Sequence, residues 1–164
     1  MPEALKVTGL QESMTQLAGM VRAVRNKYLR KAMNAAGTIV LKVMRRLAPV
    51  EVGRDELSRN RSKVLKKSLG RKVKAYAKKG VMIVIVGPRR GFRKQVGVRK
   101  RGKNVGQPVY YDPAKTAHLV EKGTSHSAAK PFARPAGDTT KAQVEAAVVK
   151  IIDDGIKAES AKKR

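Results

Sequence analysis

From Leu10 onward the apolar positions Leu10, Met14, Leu17, Val21, Val24 and Tyr28 recur at three- and four-residue spacing, the signature of one helical face. Thr8 and Gln11 stand at capping-box spacing just before, so the pattern predicts a long amphipathic helix from about Gly9 to Met33. Its opposite face carries Arg22, Arg25, Lys27, Arg30 and Lys31. A second helical pattern, Ile39, Val40, Val43, Met44 and Leu47, must stop at Ala48-Pro49, because proline cannot continue the hydrogen-bond ladder. Either two helices or one helix bent near Ala35-Ala36-Gly37 satisfies these signals.

Between Glu51 and Lys67 no period emerges, and the density of charge predicts an exposed linker. Leu69, Arg71, Val73 and Ala75 then alternate with polar neighbours, Lys78-Lys79-Gly80 reads as a turn, and Val81 to Val86 is an apolar run. Together they predict a β-hairpin whose second strand is the more buried. Gly87 to Gln107 mixes glycine with cations and holds no acidic residue, which reads as a basic loop or arm. Val109-Tyr110-Tyr111 is short enough for one strand. Asp112-Pro113 opens a helix that passes His118 and Glu121 and ends at Gly123. Asp138 starts a last helix through Val144, Val148, Ile151 and Ile152 that ends near Gly155, leaving residues 158–164 as a disordered basic tail. The class predicted is α+β: long N-terminal amphipathic helices packed on a small antiparallel β-sheet, with a C-terminal helix. Residues 1–157 are expected to form a single domain, with the arm at about 87–107 projecting from it.

Composition narrows the function. With 164 residues and 41% apolar content the chain can bury one core. Without cysteine it has no disulfide, thiolate metal site or thiol nucleophile. No apolar run approaches the ~20 residues of a membrane span, and Met1 to Lys6 shows no export signal, so a soluble protein made in a reducing cytoplasm is expected. The net charge of +26 exceeds what solubility needs and points to a polyanion. Residues 54–103 hold 19 of the 38 basic side chains and only two acidic ones, which makes the middle of the chain its electrostatic face.

Catalytic constellations are weak. His118 and Glu121 lie one helical turn apart and His126 follows, yet a third metal ligand has no marked source; a capped surface helix is the plainer reading. The glycines at 87, 91, 97, 102 and 106 do not build a phosphate-binding loop, and no nucleophile elbow occurs. The expectation is therefore a protein without enzymatic activity, cofactor or metal. Arg89, Arg90, Arg93, Lys94, Arg99, Lys100, Arg101 and Lys103 are the candidate contacts to DNA or to an acidic protein. Such cations, without interleaved aromatics, grip phosphates and read no sequence.

One stretch carries more information than the rest. Ala117-His118-Leu119-Val120-Glu121-Lys122-Gly123-Thr124-Ser125, followed by Pro131-Phe132-Ala133-Arg134-Pro135-Ala136, resembles the signature of a family of tailed-bacteriophage neck proteins, the head-tail joining or tail-completion proteins of long-tailed phages. The resemblance runs in order from about Val7 to Ile156, through Gly9-Leu10, Ala48-Pro49-Val50 and Leu65-Lys66-Lys67-Ser68-Leu69. It departs at Lys122, where the family often has an aromatic, and at Ser62-Lys63, where it has Thr-Gly. The resemblance implies a structural virion protein in the neck, assembled in the host cytoplasm as a sixfold or twelvefold homo-oligomeric ring. That ring would join the head connector to tail terminator or tail-tube proteins around the genomic DNA. It also implies a structural role for His118, Glu121, Gly123, Thr124, Phe132, Arg134 and Pro135, with Gly123 and the two prolines holding a corner that Phe132 anchors. The rival from charge alone is a nonspecific nucleic-acid-binding accessory protein, nucleoid-like or ribosome-associated.

Overall fold

The computed structural model describes residues 22–50, 56–76 and 81–161. The capping box at Thr8, the apolar stripe from Leu10 to Val21 and the turn at Lys78-Lys79-Gly80 lie outside them. The described elements, in order, are α1 (Arg22–Leu47), α2 (Glu56–Ser68), β1 (Leu69–Tyr76), β2 (Val81–Pro88), β3 (Lys94–Val98), β4 (Pro108–Tyr111), α3 (Pro113–Lys122) and α4 (Ala133–Ala161). The fold is α+β, with two separate two-stranded antiparallel sheets, β1-β2 and β3-β4, where a single small sheet was expected. No described helix is long and apolar enough to cross a membrane.

The chain divides into two compact units, Met1–Val40 with Arg71–Ile85 and Thr139–Arg164, and Leu41–Gly70 with Val86–Asp138. In the first unit α1 and α4 meet through small residues. Ala32 and Ala36 are buried with Leu29 against Val148 and Ile152, and Met33, Met82, Val144, Ile151 and Ile156 close the rim. Alanine permits this close approach, and α1 runs through Ala35-Ala36-Gly37 as one continuous helix rather than two. Gly37 lets the sheet come in: a Cβ there would stand 2.6 Å from Val84 Cγ2 and 3.0 Å from Arg71 Cδ. Arg71 Nε also donates to Asn34 Oδ1 at 3.4 Å, so Arg71 and Val84 mark the sheet face turned toward α1.

The C-terminal helix does not stop at Gly155; it continues to Ala161. A Cβ on Gly155 would stand 2.5 Å from Tyr28 Cδ1, so the glycine is a seat for the Tyr28 ring. One turn further on, Tyr28 Oη donates to Glu159 Oε1 at 3.0 Å. A residue type that ends helices serves here as a packing notch.

In the second unit the expected linker is largely helix α2. Its buried positions are Ser62, Leu65 and Ser68, so two of the three residues of its inner stripe are polar and the pattern is invisible to hydropathy. Burial is tolerated because each hydroxyl is satisfied within the chain's own backbone, Ser62 Oγ donating to Ser58 O at 3.1 Å and Ser68 Oγ to Leu65 O at 2.7 Å. Leu69, Val96, Pro113, Ala117, Phe132 and Ala136 are the other buried apolar residues of this unit's later segments.

Candidate functional site

Two features of the second unit carry the residues singled out from the sequence: the corner between α3 and α4, and the β3-β4 hairpin.

The corner begins at Asp112, whose carboxylate accepts from the Ala114 N–H at 3.1 Å and caps α3 with Pro113 in the first turn. The helix ends at Gly123, with φ 77° and ψ 179°, a backbone region open only to glycine. Its N–H donates to Leu119 O, while a Cβ would meet Ala129 N at 2.7 Å and Ser127 O at 2.9 Å. Glycine is therefore required both by conformation and by space. Thr124 and Ser127 then exchange backbone hydrogen bonds, Thr124 Oγ1 accepts from the His126 N–H, and the Lys130 N–H returns to Val120 O at 2.9 Å.

Helix α4 starts at Ala133, five residues before the Asp138 cap expected for it. Its cap comes from elsewhere. Glu121, in the last turn of α3, accepts from the N–H groups of Phe132 at 2.8 Å and Ala133 at 2.9 Å through Oε2, and of Arg134 at 3.0 Å through Oε1. A helix leaves its first four N–H groups without intrahelical partners. Three of them here end on one carboxylate, and the fourth does not exist because residue 135 is proline. Partial burial pushes the Glu121 carboxyl up, but the three backbone N–H bonds and the Arg134 charge outweigh it and hold the group below its ordinary value of 4.5. Phe132, beside this cap, is 2% exposed. Glu121, Gly123, Thr124, Phe132, Arg134 and Pro135 thus belong to one turn-and-cap arrangement, whereas His118 and His126 are exposed. Among the described residues no group of three or more His, Asp or Glu side chains could hold a metal ion.

The basic stretch 87–107 holds strand β3, which pairs antiparallel with β4 in the register Lys94↔Tyr111, Gln95↔Tyr110, Gly97↔Val109 and Val98↔Pro108. Val96 is the extra residue at the bulge between them. Its side chain is buried, and its carbonyl accepts from Asn60 Nδ2 on α2 at 2.9 Å. The bulge thereby fixes the hairpin to the helix.

The eight candidate cations separate. Arg89 donates to Lys67 O at 3.2 Å and Ser68 O at 3.4 Å, placing a guanidinium on the last carbonyls of α2, where the helix dipole favours a cation. It also lies 5.0 Å from the Phe92 ring centre, and Arg93 lies 4.5 Å from that of Tyr110. Arg89 is engaged within the fold, and Arg93 rests on the hairpin. All four of Arg89, Arg90, Arg93 and Lys94 are exposed, and the first and third differ in the contacts they make. Arg99, Lys100, Arg101 and Lys103 cluster, all exposed, in the loop that joins the strands, closed by Arg99 N–H to Gln107 O at 2.9 Å and Gly106 N–H to Arg99 O at 3.0 Å.

Next to the corner lies an open cleft of about 730 Å³, bordered by Arg61, Tyr110, Tyr111, Lys115, Leu119 and Lys130 among others. Its wall comes from Pro49 just after α1, from α2, β4 and α3, and from the loop after α3, so no single run of sequence announces it. Compared with known protein families, with curated proteins and with solved structures, the chain finds no match.

Proposed function

We propose that this protein is a structural component of a bacteriophage neck, a subunit of a ring that joins the head connector to the tail around the DNA channel. The observation that carries the reading is the corner. The seven motif positions that the resemblance implies to be structural are spread over 18 positions, from His118 to Pro135, yet Glu121, Gly123, Phe132, Arg134 and Pro135 combine in one device that fixes the start of α4. A motif that sets the direction of a helix suits a subunit whose neighbours must meet at a constant angle. No group in it needs to react.

The rival reading, a nonspecific nucleic-acid-binding accessory protein, draws on the exposed loop cations Arg99, Lys100, Arg101 and Lys103. It requires tight duplex binding by the isolated chain. A ring subunit needs only weak contact per copy, because many copies surround one DNA. Multi-angle light scattering across a concentration series, with cryo-electron microscopy of virions, tests the proposal. A closed ring located at the neck is the expected result. A protein that stays monomeric at every concentration and is absent from virions would overturn it.

A further inference from the structure

We propose that the outer face of the β1-β2 sheet is a docking surface for an acidic protein partner carrying apolar side chains. The run Val81 to Val86 is apolar at nearly every position, the pattern of a strand covered on both sides. Among the described residues only one side is covered. Met82 packs on the α1-α4 core and Val84 lies against Gly37, whereas Val81, Ile83 and Ile85 are 46%, 44% and 47% exposed. Strand alternation places Lys72, Lys74 and Tyr76 on the same outer side, since Arg71 points to Asn34, and Tyr76 is itself 44% exposed. The face is thus a row of β-branched side chains and one tyrosine, flanked by two exposed lysines.

Charge and area select the occupant. Residues 69–88 contain no acidic side chain, and the whole chain carries +26, so a second copy would bring lysine against lysine. An eight-residue, two-stranded face measures about 27 by 10 Å, roughly a third of the ~800 Å² per partner of a stable protein interface. Apolar contact over that area does not hold two strongly cationic chains together. Nucleic acid fits no better, because four half-exposed apolar groups gain nothing from phosphates. A protein surface with apolar side chains between carboxylates satisfies both parts of the face. The inference is independent of the neck reading.

The test uses the full chain and a short synthetic peptide of alternating valine and glutamate, followed by NMR of the Val and Ile methyl groups. Controls are a serine-glutamate peptide of equal charge and a valine-lysine peptide. The expected result is a shift of the Val81, Ile83 and Ile85 methyls with valine-glutamate alone, and binding weakened at least about tenfold by Ile83→Ser with Ile85→Ser. Lys72→Glu with Lys74→Glu, which leaves the apolar row intact, should transfer the preference to valine-lysine. Valine-glutamate shifts confined to Val98 and Val105, which flank the 99–103 loop, would overturn the proposal. So would a dimer of the unmodified protein in sedimentation that the double serine variant abolishes, since a second copy would then cover the face.

Discussion

Glu121 shows how far a residue's role can lie from its sequence neighbourhood. Its partners are backbone N–H groups 11 to 13 positions later, and no spacing rule joins a carboxylate to donors across a turn of that length. The sequence reads it first as the polar side of a capped surface helix, with a metal-binding role beside His118 the weaker alternative. Replacing it with glutamine should cost about 1–2 kcal/mol in chemical denaturation at neutral pH, the range for loss of a helix cap. The pH dependence has a definite sign. The folded-state carboxyl sits below its ordinary value, so its contribution is complete above the unfolded value and is lost as pH falls through the folded one. The stability gap between the natural protein and Glu121→Gln should therefore be constant near neutrality and close in acid. Gly155 offers a second test. Alanine there gains about 1 kcal/mol of helix propensity but overlaps the Tyr28 ring, a cost of about 1–3 kcal/mol. Gly155→Ala should destabilise the natural protein and stabilise a Tyr28→Ala variant, a change of sign that a thermal-melt double-mutant cycle reads directly.

Elements whose signals are local were legible. Asp112-Pro113 opening a helix and Gly123 closing it depend on φ preferences and on side-chain reach of one or two residues, and α3 forms where those signals place it. Helix α2 was not legible, because serines at two of its three buried positions erase the apolar period, and only the structure reveals that their hydroxyls are satisfied. Helix α4 begins early because Glu121 caps it, displacing the cap role read at Asp138. At the β3-β4 hairpin, strand pairing draws the cations into a loop, and this changes the expected mutational pattern. Neutralising Arg99, Lys100, Arg101 and Lys103 together should lower duplex affinity and reduce the slope of log K against log salt by roughly 3–4 if all four meet phosphates. Arg89→Gln should instead lower thermal stability, because Arg89 sits on the last carbonyls of α2. Filter binding over a salt series and thermal melts of the same variants distinguish the two effects.

At the scale of the molecule, a net charge of +26 opposes self-association, and any assembly has to overcome it. If the chain works as a ring subunit, its apparent melting temperature should rise with protein concentration, because association then contributes to the folded state. Scanning calorimetry over about a hundredfold range of concentration checks this. Added salt should raise the association further by screening the repulsion, the opposite of its effect on DNA binding. A melting temperature independent of concentration and salt would mean that the chain folds and acts alone.

The α+β class, the charge, helix α3 and the apolar runs within α1 and α4 are legible in the residues themselves, because periodicity, turn chemistry and composition are written in neighbouring residues. Packing in three dimensions is what makes Glu121 the cap of the following helix, Gly155 a seat for Tyr28 and Arg89 a partner of the α2 carbonyls while the loop cations stand out, and what leaves one side of β2 exposed among the described residues. Each of these depends on groups brought together from distant positions, and hydrogen-bond satisfaction and close packing act on distance in space rather than on distance along the chain.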